Sequence, residues 1–145
     1  MNDWQLFAAL HEESREGWVW ASTIPKPGVP HVRLRNFITG KTIICEQREI
    51  DSNFRQRYNQ PPRTGLPESG NVLVISEHYR KKLGLDRDIT GSVNLELSSV
   101  RGPLAGIRAG RSHPNSAIRT ATWLGVLSAV LGALSFGLAI AVFVR

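Results

Sequence analysis

Between Thr120 and Val144 the chain carries no charged residue and consists almost entirely of Leu, Val, Ala, Gly, Ile, Phe and Ser. At ~1.5 Å per residue, a helix of this length covers about 37 Å, more than the ~30 Å hydrocarbon core of a bilayer. Core helices of soluble domains seldom carry more than ~14 consecutive apolar residues, so the stretch predicts a transmembrane helix over residues 119–145. Residues 1–100 then have the length of one compact domain, and residues 101–118 join the two.

Charge orients this arrangement. The formal net charge is +6, and a basic chain ordinarily seeks a polyanion. The excess, however, lies in the tail: residues 101–145 hold five Arg and no acid, whereas residues 1–100 hold 13 Lys and Arg against 12 Asp and Glu. The anionic partner this predicts is the lipid bilayer, and the distribution argues against nucleic acid. Arg101, Arg108, Arg111 and Arg119 precede the apolar stretch and only Arg145 follows it, so positive-inside bias places the N-terminal domain in the cytoplasm. The expected topology is a single-pass tail anchor. The first residues, with Asp3, Glu12, Glu13 and Glu16, lack the basic and apolar regions of a signal peptide.

Within the first hundred residues, Trp4, Leu6, Phe7 and Leu10 form one face of a predicted amphipathic helix over residues 3–15, with Asn2 and Gln5 spaced as a capping box. Trp18-Val19-Trp20 reads as a strand, its aromatics serving packing. His31–Arg35 alternates polar with apolar, and Thr39-Gly40-Lys41 turns it into Thr42–Gln47 as a hairpin. The lone Cys45 lies in that second strand as a buried thiol. Asp51 is placed to cap a helix in which Phe54 and Tyr58 share a face. Val72–Ile75 reads as a strand covered on both sides, Ser76 as the cap of a helix burying Tyr79 and Leu83, and Gly84 as that helix's end. Val93, Leu95 and Leu97 alternate with Asn94, Glu96 and Ser98, the pattern of a strand with one wet face. Residues 101–118, rich in Gly, Pro, Ser, Asn and Arg, are expected to be a flexible basic linker. The predicted fold class is α+β: a small β-barrel-like domain with short helices, plus one C-terminal transmembrane helix.

Two strands and a Gly turn at Val32–Asn36 and Gly40–Ile44, the strand and helix of Val74-Ile75-Ser76 and Lys82-Leu83-Gly84-Leu85, and the closing strand Gly91–Leu95 together resemble the double-psi β-barrel of the rare lipoprotein A and expansin families. The resemblance covers about 65 residues and implies that fold. In lytic members of the family an acid in an Asn-Asp-Arg-Gly-Pro loop cleaves peptidoglycan. Here the corresponding residues are Arg48-Glu49-Ile50-Asp51, and a cytoplasmic domain would not meet that substrate.

The remaining chemistry is sparse. His11, His31, His78 and His113 are never at metal-ligand spacing, and Ser76-Glu77-His78 are adjacent residues that cannot converge as a triad. No catalytic residue, metal or cofactor is expected. Arg55, Arg57, Tyr58 and Arg63 interleave cations with an aromatic ring and form the expected ligand or partner surface. In the apolar helix, Gly125, Ala129, Ala133 and Gly137 recur every four residues, while Gly125, Ser128, Gly132 and Ser135 recur at three and four. Both patterns permit close helix packing, either self-association or against a protein partner. The leading functional expectation is a non-enzymatic binding or scaffold module on a tail anchor. The alternatives are a membrane-disrupting effector of a bacterial defence system, triggered by ligand binding or clustering, and a divergent peptidoglycan-cleaving enzyme.

Overall fold

Period-two alternation closes the N-terminal region into a barrel. The computed structural model describes residues 2–61, 65–86 and 91–143. Its strands are β1 (Asn2–Ala8), β2 (Trp18–Ala21), β3 (His31–Asn36), β4 (Thr42–Glu49), β5 (Val72–Ile75) and β6 (Ser92–Ser99). They form a closed barrel in the order β1-β5-β2-β4-β3-β6. The β1/β5 and β2/β4 pairs are parallel and the other pairs antiparallel. Helices α1 (Ser52–Tyr58) and α2 (Glu77–Leu83) flank β5 in sequence, and α3 (Pro103–Ser112) and α4 (Ser116–Phe143) follow β6.

The inward-facing residues fill the barrel. Trp4, Leu6, Val19, Val32, Leu34, Cys45, Leu73 and Leu95 belong to one buried cluster, closed at one side by Tyr79 and Leu83 of α2. The other face of β5 is covered as well: Val72 and Val74 pack with Phe54 and Tyr58 of α1 in a second cluster. This explains an unbroken apolar strand with every residue buried. Trp20 stacks on Phe54 at 4.1 Å between ring centroids, so it is a packing residue of this second core. Burial also pushes the Cys45 thiol pKa well up, with the Glu46 charge adding to the effect. The thiol therefore stays protonated.

Several local expectations hold. The β3–β4 hairpin pairs Arg35 with Thr42 across its turn, Asp51 accepts from the Phe54 N–H at 2.7 Å, and Gly84 ends α2 in the left-handed conformation at φ 69°. Replacing the cap, Asp51→Ala, is expected to lower unfolding free energy by about 1 kcal/mol in chemical denaturation. Ser76 has the extended backbone of an N-cap, but its hydroxyl makes no capping bond.

Two expectations are corrected. Residues 3–15 do not form an amphipathic helix: residues 2–8 are strand β1, and only Glu13–Arg15 make a short 3-10 turn. Trp4 and Leu6 are two residues apart and share one face of a strand, whereas Leu6 and Leu10 have helical spacing; the strand wins because β1 completes the barrel, bonded to β5 on one side and β6 on the other. Nor are residues 101–118 an unstructured linker, since 103–112 are helical and packed on β4 while residues 116–118 already belong to α4.

Candidate membrane-proximal site

Helix α3 begins with Pro at its first turn, where a missing N–H costs nothing. Its sheet-facing positions are small: Ala105 is buried, and Ala109 and Ser112 are half-buried. Small side chains let the helix backbone lie close to β4. Ser112 Oγ donates to the carbonyl of Ile44 in β4 and is also within bonding distance of the Arg108 and Ala109 carbonyls. The Ser112 carbonyl accepts from Lys82 Nζ at 3.0 Å and lies 3.1 Å from His78 Nε2, so α2 holds the end of α3.

The turn between α3 and α4 is bound too. His113 Nε2 lies 3.1 Å from the Glu16 carbonyl, and its ring rests against Gly17, which has φ 73° and no Cβ to obstruct it. Arg119 Nη1 donates to the His113 and Pro114 carbonyls, both at 2.8 Å. Gly110 of α3 faces Thr122 of α4, with no room for a side chain between them. Gly110→Val should wedge the helices apart, raising amide hydrogen exchange across residues 103–122 while leaving β5 protected.

A cleft of about 330 Å³ opens beside this junction, lined by Thr42, Ile43, Lys82, Arg108, Arg111 and Ser112. Three cations converge on it. Among the described residues, none of the three has an acid within ion-pair distance. The Arg111 guanidinium lies 4.5 Å from the centroid of the Trp123 ring. Burial, followed by the charge of Arg119, lowers the Lys82 pKa.

His78 beside the same junction is also held below its ordinary pKa. Burial is the main cause, opposed by its bond to the Ser112 carbonyl and reinforced by Lys82, Arg119 and His113. Because the folded chain binds this proton less readily than the unfolded chain, stability is fully present above the unfolded pKa of about 6.5. It is lost as pH falls from there through the folded value. Melting of the detergent-solubilised chain should therefore shift downward on acidification below about pH 6.5, and His78→Gln should flatten that part of the profile.

The expected ligand surface is distributed differently. Tyr58 is in the second core and its hydroxyl donates to the Ala8 carbonyl at 2.7 Å. Arg55 donates to the Pro67 carbonyl at 2.7 Å, and Arg57 pairs with Glu13 at 2.7 Å while lying over the Phe54 ring. Arg63 lies outside the described residues. These three described side chains are thus engaged in holding α1 and its neighbouring loops. Asp51 is occupied as a cap, and Glu49 is exposed at the end of β4.

By contrast, Arg108 and Arg111 converge on the cleft, with Arg119 bracing the turn and Arg101 exposed just before α3. Lys82 is the member of this group that sequence reasoning missed, because only the packing of α2 against the end of α3 brings it there. A signal for α3 existed in Pro103 after Gly102 and in the Ala105, Ala109, Ser112 spacing, but small residues gave it little hydropathy.

Helix α4 is 28 residues long, with mean hydropathy 2.4 over its most apolar window and none of that window buried. Gly125, Ser128, Ala129, Gly132, Ala133, Ser135 and Gly137 are all exposed along it. The Ser135 hydroxyl donates back to the Leu131 carbonyl at 2.9 Å. No protein-family model, curated protein or solved structure matches the chain.

Proposed function

We propose that the chain is a single-pass, tail-anchored membrane protein whose barrel lies on the cytoplasmic side and serves as a non-enzymatic binding or scaffold module. The observation that carries the anchoring is the 28-residue apolar helix with none of its apolar window buried against the barrel. Exposed Leu and Val along its whole length would be costly in water and are satisfied by acyl chains. The cytoplasmic orientation follows from the four Arg on the N-terminal side of the helix. The barrel interior is filled with its own apolar side chains, so in this reading partner contact falls on the outer surface. The closed barrel and its two parallel strand pairs are in keeping with a double-psi arrangement.

Affinity purification of the full chain from gently solubilised membranes tests the module. Recovery of a specific protein that is lost on surface substitution of the barrel is expected, and recovery of none would contradict the role.

The small-residue positions of α4 favour the effector as a second reading, because open backbone at Gly125, Gly132 and Gly137 permits close helix approach. Induced expression should leave membrane potential intact for a scaffold. For an effector it should collapse the potential, and Gly132→Leu or Gly137→Leu should prevent that collapse.

A further inference from the structure

We infer that the cleft formed by Lys82, Arg108 and Arg111 is a binding site for the phosphate-bearing headgroup of an anionic phospholipid. This inference rests on the membrane-anchored reading and adds a ligand to it. The cations converge from separate elements, Lys82 from α2 and the two Arg from α3, around a space of about 330 Å³ bordered by the Thr42 side chain. Among the described residues no carboxylate pairs with any of them, so their charge is available to an outside anion. Lys82 uses one of its three N–H donors on the Ser112 carbonyl. Arg111 uses its face on the Trp123 ring, which leaves its N–H edges for oxygen acceptors.

Position selects a lipid over a free phosphate ester. Trp123 lies three residues into the uncharged stretch that begins at Thr120, at the depth where Trp side chains settle in a bilayer interface. The Arg111 contact therefore fixes the cleft at headgroup level. Along α3, exposed Leu104 precedes Arg108 by one turn, and Ile107 precedes Arg111 by one turn. An apolar side chain beside each cation suits a ligand that has both acyl chains and a phosphate, and a free phosphate ester gains nothing from Leu104 or Ile107.

The test uses the full chain in nanodiscs of mixed phosphatidylcholine and phosphatidylglycerol, with retained lipid identified by native mass spectrometry. The native chain should retain phosphatidylglycerol in preference to phosphatidylcholine. Arg108→Gln with Arg111→Gln should reduce that preference by about fivefold for each cation removed. Arg15→Gln with Lys26→Gln makes the same change in net charge at exposed positions outside the cleft and should leave the preference unchanged. Absence of preference in the native chain, or equal loss in both variants, would overturn the site. Displacement of the lipid by soluble glycerol phosphate would overturn the lipid as its ligand. Alkaline carbonate extraction run in parallel separates the two levels: release of the native chain overturns anchoring and the site together, whereas retention without lipid preference overturns the site alone.

Discussion

Placing two charges in the middle of α4, Val130→Arg with Leu134→Arg, should convert the chain from one that resists alkaline carbonate extraction to one that is released or degraded. Both residues are exposed in α4, and each Arg near the bilayer centre costs on the order of 2.5–3.5 kcal/mol for insertion. Together they remove most of the driving force for a single helix. The same changes on a merely exposed helix in water would be nearly neutral, so the outcome separates the two environments. Fractionation of membranes before and after carbonate treatment reads it directly. Gly125→Leu, which adds apolar surface without charge, should stay in the pellet as the native chain does.

Leu6→Ala should destabilise the barrel by about 2–5 kcal/mol, a large part of the ~5–15 kcal/mol that holds a domain of this kind together. Leu6 is 2% exposed and belongs to the cluster inside the barrel, so truncation leaves a cavity that β1, paired on both edges, cannot collapse to fill. Its neighbour Gln5 is exposed on the opposite side of the strand. Gln5→Ala should therefore change stability by no more than about 0.5 kcal/mol. Denaturant unfolding of the two variants compares them, and a loss that does not alternate between adjacent positions would contradict the strand.

Where alternation, caps and turns were strong, they were legible in the residues themselves. The β3–β4 hairpin, the Asp51 cap, the two-sided burial of β5 and the long apolar helix each follow from local side-chain chemistry. The first strand was not legible, because Trp4, Leu6, Phe7 and Leu10 satisfy a helical stripe as well as a strand with cores on both faces. Only the pairing of β1 with β5 and β6, some 70 and 90 residues away in sequence, removes that ambiguity. The cleft was half legible. Arg108 and Arg111 stood out as membrane-proximal charge, but Lys82 joins them through a tertiary contact, and α3 hides its helical face behind Ala and Gly. Conversely, sequence does not reveal that the Arg and Tyr of α1, expected as a ligand surface, have Glu13, Pro67 and Ala8 as partners within the fold.

The contacts of α3 and the turn after it also alter the expected mechanics of the connection to α4. A flexible linker would let the domain wander, whereas α3 lies on β4, and the turn to α4 is bonded to the end of α2 and to Glu16. The barrel is thereby tied to the base of α4 through α3, with the basic cleft where α2, α3 and β4 meet. The most direct test is protease accessibility of the barrel in oriented membranes, scored with an epitope at the N-terminus. Protease added to intact cells should spare the epitope, and protease added to inverted vesicles should remove it while leaving a protected fragment containing α4. Digestion from outside intact cells, or loss of the α4 fragment from sealed vesicles, would contradict a membrane-spanning α4 with its barrel in the cytoplasm.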